Sequence, residues 1–296
     1  MVGISAERRA HAEAKPRQDG QMADPVFRQD LYRGTASSYD RFRLPYPEAL
    51  IADLARRTGA DGTGRLLDLA CGTGQISFAL RTHFGEIWAV DQEPDMTGLV
   101  RQKAEALGDA GPFRILTCAV EDLDAPEGGF DLVTMGNSFH RVQRDVVAGR
   151  ALRWLRPGGF LALLWGGGPN RGSAPWQHTL REVLAHWQDR TGEPDRIPAG
   201  YEAAQRERPD LPILRQAGFE PAERYEFGFS HEWTADELAG HAFSTAVLSE
   251  AALGDLVPEF VADLRRELRA VDPSGRFQQV STFACELARR PGLPAR

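Results

Sequence analysis

Short apolar runs alternate with longer amphipathic stretches between Arg65 and Gly166. The apolar runs are RLLDLA, EIWAVD, FRILTCA, FDLVTMG and FLALLWG, and each has a length that suits one strand. Between them lie QISFALRTHF, PDMTGLVRQKAEAL and RDVVAGRALRWL, which have a helical pattern. Such alternation is typical of a parallel sheet covered by helices on both faces. The pattern therefore predicts an α/β fold, with a turn at RPGG before the fifth strand.

The alternation ends beyond Gly166. A loop, GGGPNRGSAPW, precedes the helical run QHTLREVLAHWQDRTG, and EPDRIPAGYEAAQRERPDL follows as a polar insertion. AERYEFGFSHEW alternates as a strand, and RFQQVSTFACELARR is a second strand near the end of the sequence. Two helical runs separate these strands, TADELAGHAFSTAVLSEAAL and EFVADLRRELRAV. This order predicts a late antiparallel hairpin on a mostly parallel sheet, with helices inserted into the hairpin.

Composition narrows the classes of partner and compartment. The net charge of −7 argues against a nucleic-acid partner, because binding to phosphates needs a basic face. The three cysteines are widely separated and include no Cys-x-x-Cys pair, so we expect reduced thiols and no metal site. No apolar stretch approaches the roughly 18 residues of a membrane-spanning helix, and the first residues lack an apolar signal core. We therefore expect a cytoplasmic protein with no membrane partner.

The first strand runs into a glycine turn, LLDLACGTGQ, in which Asp68 ends the strand and Ala70 to Gly74 form the turn. Glycines allow a backbone to approach a ligand closely, and the next helix points its N–H groups into the turn. The second strand ends in Asp91, where an acidic side chain can accept both hydroxyls of a ribose. Together these features predict a cofactor that contains adenosine, bound at the carboxyl ends of the parallel strands.

The turn differs from a dinucleotide site. The pattern G-x-G-x-x-G has a third glycine where this chain has Ser77, and Asp68 would repel a pyrophosphate. A cofactor with a cationic sulfonium and no phosphate reverses the sign of that interaction. Asp68 therefore points to S-adenosylmethionine, with S-adenosylhomocysteine as product. The alternative is a solvated aspartate at a strand end beside an ordinary turn.

Four segments resemble successive motifs of the class I S-adenosylmethionine-dependent methyltransferases: LLDLACGTG, VDQEPDM, AVEDLDAPEGGFDLV and ALRWLRPGGFLALL. YDRFRLPYP is similar to the Tyr-containing segment of the small-molecule branch that includes trans-aconitate methyltransferase-like enzymes. The resemblance implies a Rossmann-like sheet with helical insertions as a substrate cap, and Ala70 departs from the glycine usual there. The second half resembles the amino-sugar N-methyltransferases of gentamicin biosynthesis, in APWQHTLREVLAHW and HEWTADELAGHAFSTAVL.

The resemblance implies a division of the chain. Residues 1–24 are polar and read as a disordered tail, and residues 25–296 would form one methyltransferase domain. Within it, residues 31–64 would be an N-terminal cap and residues 65–166 the cofactor-binding core. Residues 167–207 and 231–272 would be insertions on the substrate side, and residues 276–290 the closing strand.

The resemblance also implies roles for individual residues. Asp68 and the turn would hold the methionine part of the cofactor, Asp91 the ribose, and Asn137 would lie beside the sulfonium. Tyr39 and Arg43 would fold over the cofactor, although they could equally form a surface segment that caps a helix. The full cofactor-binding set comprises Tyr39, Arg43, Asp68, Ala70, Gly72, Gly74, Asp91, Gln92, Met96, Val120, Glu121, Asp122 and Asn137.

His140 and Tyr39 are the candidate catalytic residues. His140 follows the fourth strand in MGNSFHRV, at the edge of the expected pocket. A histidine titrates near neutral pH and can accept the proton that an amine or hydroxyl loses on methylation. The alternative for His140 is packing near the cofactor.

The acceptor site should include the insertion after the fifth strand. Its acidic and aromatic residues suit a cationic, polyhydroxylated sugar, and the alternative is a solvated helix face with core tryptophans. The candidates are Trp176, Trp187, Asp189, Glu193, Asp195, Tyr201 and Glu202, with Ser244 and Thr245 further along the chain.

Three functions remain open from the sequence. The first is N-methylation of an amino sugar in aminoglycoside biosynthesis. The second is O-methylation of a carboxylate or hydroxyl on a small metabolite. The third is a cofactor-binding module that transfers no methyl group. An acidic pocket beside the sulfonium would favour an amine acceptor, and an arginine-lined pocket would favour a carboxylate. The sequence does not predict an oligomeric state.

Overall fold

A seven-stranded sheet organises the chain. The structure is a computed structural model that describes residues 24–108, 111–191, 197–198 and 200–293. Most of the predicted tail, residues 1–23, lies outside the described residues. The strands, in chain order, are β1 (Arg65–Leu69), β2 (Glu86–Asp91), β3 (Phe113–Thr117), β4 (Phe130–Gly136), β5 (Leu155–Gly166), β6 (Glu223–Thr234) and β7 (Arg276–Arg289).

The strand order is β3-β2-β1-β4-β5-β7-β6. The first five strands are parallel, whereas β7 pairs antiparallel with both β5 and β6. The predicted α/β, Rossmann-like sheet with a late antiparallel hairpin is therefore confirmed. The chain passes from β1 outward to β2 and β3, and then returns to the other side at β4. Ligands bind at such a reversal in open α/β sheets, outside the carboxyl ends of the strands.

Helices flank both faces of the sheet, and further helices lie between β5 and β6 and between β6 and β7. The helices are α1 (Ala36–Phe42), α2 (Glu48–Thr58), α3 (Gln75–Ala79), α4 (Pro94–Glu105), α5 (Arg144–Trp154), α6 (Pro175–Thr191), α7 (Tyr201–Glu207), α8 (Asp210–Ala217), α9 (Ala235–Phe243), α10 (Glu250–Leu253) and α11 (Val257–Val271). No helix in the described ranges combines the length and the apolar character that crossing a membrane requires.

Buried residues form separate cores on the two faces of the sheet and in the cap. Leu67 packs with Trp154 on one face, whereas its neighbour Leu66 packs with Leu50 on the other, as the period of two in a strand requires. Helices α6, α9 and α11 share a third core that includes Trp187 and Phe260. We call these three helices with α10 the cap.

Two local predictions are corrected by the structure. The run from Thr234 to Leu253 is not one helix, because it divides after Phe243. The Ser244 hydroxyl donates to the carbonyl of His241, and the Thr245 hydroxyl donates to the carbonyl of Ala242. These side chains occupy carbonyls at the end of α9, an effect that favours helix ends over helix interiors.

The RPGG sequence is part of β5 and not a free turn. The backbone of Gly158 and Gly159 exchanges hydrogen bonds with Arg290, just beyond the end of β7. The register against β4 shifts between Phe130 and Leu132, so the irregularity takes the form of a bulge at the start of the strand.

Candidate active site

A cavity of about 340 Å³ lies at the carboxyl ends of β1, β2 and β4. This volume is within the range of sites for small ligands. Residues of the predicted site that line it are Tyr39, Ala70, Gly72, Asp91, Gln92, Met96, Val120, Glu121, Asp122 and Asn137. The topology thus brings together residues that are up to about a hundred positions apart in the chain.

Asp91 is the buried carboxylate of this cavity. Its Oδ2 accepts a hydrogen bond from the backbone N–H of Gly72 at 2.8 Å, and its Oδ1 accepts one from Glu93 at 2.9 Å. Burial raises the pKa of Asp91 above its usual value, while these N–H donors act in the opposite direction. Each oxygen can still accept a further hydrogen bond from a ligand, because a carboxylate has about four acceptor sites.

Two residues other than glycine adopt left-handed backbone conformations where β1 and β4 end. Ala70 has φ of 50° and Asn137 has φ of 49°. The side chain of Asn137 holds its own loop, because its Oδ1 accepts a hydrogen bond from Gly166 at the end of β5. Strained conformations of this kind persist where the surroundings impose them, and they cluster at functional sites.

Asp68 does not join the described lining of the cavity. Its side chain is fully buried, and its Oδ2 accepts hydrogen bonds from the backbone and hydroxyl of Ser77. Its Oδ1 accepts a hydrogen bond from Thr134 at 2.8 Å. Burial raises the pKa of Asp68 to about 6. The structure therefore places Asp68 behind the turn, where it fixes the first turn of α3 to β4.

Two further predicted residues also lie apart from the cavity. Arg43 donates from Nε to the Ser244 hydroxyl at 2.9 Å and from Nη2 to the Ser244 carbonyl. It therefore joins the N-terminal region to the end of α9. Gly74 precedes α3 in a left-handed conformation, and a Cβ there would lie 3.0 Å from the ring of Phe78. Gly74 thus allows the turn to pack against α3.

The start of the described chain covers the cavity, which the sequence did not predict. Residues 24–29, 31 and 32 line it. Asp24 anchors this segment through ion pairs with Arg144 at 2.6 Å and Arg208 at 3.1 Å. The buried Arg144 also pairs with Asp210. Asp24, which was expected in the disordered tail, is therefore part of a buried ion cluster. In the sequence, only the neighbouring aromatic residues indicated that this segment covers a cavity.

Three buried polar atoms of the cavity lining have no hydrogen-bond partner within the described residues. They are Glu93 Oε1, Ser138 Oγ and Arg141 Nε. An unpaired buried polar group costs free energy, so such atoms require a partner that the chain itself does not supply. They give the cavity one anionic acceptor, one cationic donor and one hydroxyl for a polar ligand. The sequence analysis missed all three.

His140 packs in an aromatic cluster beside the cavity. Its ring lies 5.7 Å from that of Trp165, 5.6 Å from Tyr201 and 6.5 Å from Phe27. Burial, together with the charge of nearby arginines, lowers the pKa of His140 to about 3. These contacts suit packing, and proton acceptance by His140 stays a prediction. Tyr39 differs, because it covers Gly72 and faces the cavity.

A smaller chamber of about 40 Å³ adjoins the cavity, and the two share Tyr39 and Asn137. We call it the inner chamber. Its other described lining residues are Arg43, Leu44, Tyr46, Gln75, Gly166, Gly167, Gly168, Pro169, Trp233, His241 and Phe283. No acidic residue occurs in this described lining. The acidic residues lie in the larger cavity, whose lining includes Asp91, Glu93 and Glu121, whereas the inner chamber contains an arginine, Arg43.

Most residues expected at an acceptor site lie elsewhere. Trp176 and Trp187 are buried in the core of the cap, and the Trp187 indole donates to Asp263 at 2.8 Å. Asp189 is exposed on α6, as a solvated helix face would be. Tyr201 contacts His140 behind the cavity.

The remaining acceptor candidates divide into described and undescribed residues. Ser244 is engaged by Arg43, and the Thr245 hydroxyl by the end of α9. Glu193 and Asp195 lie outside the described residues, as does the side chain of Glu202.

Comparisons with known proteins find similarity to methyltransferases. Residues 66–159 match the family model of the methyltransferase domain. The chain is 37% identical over 103 residues to demethylmenaquinone methyltransferase of Thermus thermophilus, which covers 34% of this chain and 46% of that protein. It is 33% identical over 158 residues to the ubiquinone/menaquinone biosynthesis C-methyltransferase UbiE of Roseobacter denitrificans, covering 49% and 60%. The chain thus spans less than two thirds of either relative.

Solved structures share the fold at low sequence identity. A candidate type II methyltransferase from Anaeromyxobacter dehalogenans has a TM-score of 0.58 and 20% identity, over 85% of this chain and 99% of that one. A candidate methyltransferase from Bacillus halodurans has a TM-score of 0.51 and 16% identity, over 82% and 99%. Residues 66–159 are therefore similar to a methyltransferase domain, and the sheet as a whole shares the fold of these two structures.

Proposed function

We propose that the chain transfers the methyl group of S-adenosylmethionine to a small-molecule acceptor. The observation that carries this proposal is Asp91, which lines the cavity beside the glycine turn and whose two oxygens are held by backbone N–H groups. A ribose offers two neighbouring hydroxyls, which match two fixed carboxylate oxygens. The acids of the lining favour a cofactor that carries a positive charge.

The lining residues fit the other parts of the cofactor. Met96 and Val120 supply buried apolar surface for the faces of an adenine. Glu121 and Asp122 lie beside them and could accept from its amino group. Arg141 carries the unpartnered Nε and can donate to the carboxylate of the methionine part. Glu93, with an unpartnered oxygen, can pair with a cationic group.

Methyl transfer needs little from the protein beyond position. The bound cofactor supplies an activated methyl group, so the protein must align the nucleophile with methyl and sulfur and exclude water. Tyr39 and Asn137 lie where the cavity meets the inner chamber, at the point where an acceptor would meet the cofactor. An intact set of polar groups at this boundary disfavours the alternative of a binding module without transfer.

N-methylation of an amino sugar stays a prediction. The resemblance of the second half to amino-sugar N-methyltransferases supports it. The acidic residues on which it also depended are exposed or undescribed, as given above for Asp189, Glu193, Asp195 and Glu202. O-methylation of a carboxylate or hydroxyl is the competing prediction.

A transfer assay tests the proposal. The protein is incubated with S-adenosylmethionine labelled in the methyl group and with a panel of amino sugars, hydroxy compounds and carboxylic acids, and products are identified by mass. We expect one class of compound to gain the label. Failure of the protein to bind S-adenosylhomocysteine in calorimetry would overturn the proposal, as would binding without transfer to any member of a broad panel.

A further inference from the structure

Lys103 on α4 contacts three other elements beside the cavity through its ammonium group. The nitrogen donates to Asp40 Oδ1 on α1 at 2.7 Å and to the backbone carbonyl of Thr73 in the glycine turn at 2.9 Å. It also lies 4.7 Å from the centre of the Phe78 ring on α3. A single side chain therefore connects α1, the glycine turn and α3.

The two hydrogen-bond partners of Lys103 flank the contact between Tyr39 and Gly72. Tyr39 immediately precedes Asp40 in α1, and Gly72 immediately precedes Thr73 in the turn. A Cβ at Gly72 would lie 3.4 Å from the ring of Tyr39, so the ring packs closely on the backbone of the turn. The contacts of Lys103 therefore lie on both sides of the place where the ring meets the turn.

Tyr39 occupies a place where its position affects both parts of the site. Together with Asn137 it lines the cavity and also the inner chamber. Gly72, on which its ring packs, donates from its N–H to Asp91 Oδ2 at 2.8 Å. A displacement of Tyr39 would therefore change the cavity beside Asp91 and the boundary between the cavity and the inner chamber.

Lys103 itself does not belong to the described lining of the cavity or of the inner chamber. Its effect on a bound ligand must therefore pass through the residues that it holds. Arg43 lies 4.9 Å from the centre of the Tyr39 ring and donates to Ser244 at the end of α9. Arg43 thus attaches Tyr39 to the cap, whereas Lys103 attaches α1 to the glycine turn.

Resting on the proposed function, we propose that Lys103 is a positioning residue, which holds Tyr39 against the glycine turn and so prepares the cavity for S-adenosylmethionine. A site that is ordered before binding has a higher affinity, because less conformational freedom is lost when the ligand binds. The side chains of Lys103 and Asp40 are 33% and 34% exposed, and exposed ion pairs contribute little to stability. Loss of the pair should therefore weaken binding and leave folding nearly unchanged.

Substitutions at Lys103 separate position from stability. Lys103→Met keeps an apolar stem beside Phe78 and removes the ammonium group. We expect its affinity for S-adenosylhomocysteine in calorimetry to fall roughly threefold to thirtyfold, while the midpoint of thermal denaturation stays close to that of wild type. Lys103→Arg restores a cationic donor and should recover part of the affinity. Gln102→Met is the matched control, because it places the same side chain at an exposed neighbouring position of α4 and should bind as wild type does.

Fluorine NMR observes the ring of Tyr39 without any ligand. The tyrosines are labelled as 3-fluorotyrosine, and the resonance of Tyr39 is assigned by its loss in Tyr39→Phe. Lys103→Met should shift or broaden this resonance, whereas that of Tyr225, which packs with Arg57 on the outer strand β6, should stay unchanged. A resonance of Tyr39 that is the same in wild type and Lys103→Met would overturn the inference.

A double-mutant cycle tests whether Lys103 acts through Tyr39. In Tyr39→Leu protein, Lys103→Met should lower the affinity for S-adenosylhomocysteine by a much smaller factor than it does in wild type, because the ring that it positions is absent. Equal factors in the two backgrounds would contradict the action of Lys103 through Tyr39.

The outcomes separate this inference from the proposed function. If wild type does not bind S-adenosylhomocysteine, the proposed function fails, and the resonance of Tyr39 in the free protein still tests the contact. If wild type binds and folded Lys103→Met binds equally well, only the inference on Lys103 fails.

Discussion

Asp68 and Asp91 are buried carboxylates near the carboxyl ends of the neighbouring strands β1 and β2, and their hydrogen-bond partners differ. Asp68 receives donors from Ser77 and Thr134, which surround it within the protein. Asp91 accepts hydrogen bonds from the backbone N–H groups of Gly72 and Glu93, and it lines the cavity. Both residues end apolar strands, so the strand pattern predicted their proximity. It could not predict which of them faces the cavity, because that depends on hydroxyl donors from distant parts of the chain.

The raised pKa of Asp68 predicts a pH-dependent stability. The pKa is about 6 in the folded protein against 3.8 in the reference state, so the folded protein binds more protons between these values. The free energy of unfolding should therefore fall as pH rises through this window and level off above it. Asp68→Asn has no ionisable group at this position. The free energy of unfolding of wild type minus that of Asp68→Asn should therefore fall by up to about 3 kcal/mol between pH 4 and 7.

Denaturant titrations of both proteins across that range measure the difference, in which contributions shared by the two proteins cancel. A difference that stays constant or increases with pH would contradict the burial of an ionisable Asp68.

At the scale of elements, ion pairs hold the segment before α1 against helices α5 and α7. Asp24 joins Arg144 at the start of α5 with Arg208 at the end of α7. The segment that follows Asp24 forms a wall of the cavity. The ion cluster therefore connects the stability of this wall to the helices behind it.

Asp24→Ala should loosen this wall. The substitution removes one of the two carboxylates that pair with the buried Arg144 and leaves Asp210, so the cost should not exceed the roughly 3–5 kcal/mol of a fully broken buried pair. We expect a lower midpoint of denaturation and faster cleavage by trypsin after Arg28, which is exposed.

Asp30→Ala is the matched control, since Asp30 forms an exposed pair with Arg28 in the same segment. It should change stability by less than about 1 kcal/mol. Equal effects of the two substitutions would show that the buried cluster does not anchor the segment.

Local patterns predicted regular elements better than irregular ones. EIWAVD and FDLVTMG became strands with the expected bounds, because an apolar run between turns has few alternatives in a parallel sheet. The helix breaks between α9 and α10 because the hydroxyls of Ser244 and Thr245 donate to carbonyls at the end of α9. The hydrophobic pattern of the sequence has no interruption at these residues, so it did not predict the break. Helix α7 lies in a stretch expected to be a polar insertion, and it packs through few buried residues.

For the whole molecule, the cap and the sheet have separate cores. The core of the cap contains Trp187 and Phe260 and extends to Trp233 near the end of β6, whereas the cavity lies at the strand ends. The sequence predicted the residues that follow strands, because the topology of a parallel sheet brings strand ends together. It did not predict that a helix of the cap brings His241 to the lining of the inner chamber.

This separation predicts that a cavity in the cap affects stability more than cofactor binding. Phe260 is fully buried on α11, so Phe260→Ala should lower the free energy of unfolding by about 3–5 kcal/mol. Affinity for S-adenosylhomocysteine should remain within about twofold, a change of less than 0.5 kcal/mol by order of magnitude.

Val271→Ala, at the exposed end of the same helix, is the control and should change neither quantity. A large loss of affinity in folded Phe260→Ala would show that the cap and the cofactor cavity act as one unit.

The central claim is that Asp91 and the glycine turn bind the ribose of S-adenosylmethionine, and calorimetry with S-adenosylhomocysteine tests it most directly. Asp91→Asn exchanges one fixed acceptor for a donor, so the affinity should fall roughly tenfold to a hundredfold. Asp124→Asn changes an exposed aspartate outside the described lining of the cavity and should bind as wild type does. Thermal melts of each variant separate loss of binding from loss of folding. Wild-type affinity in folded Asp91→Asn would contradict the account.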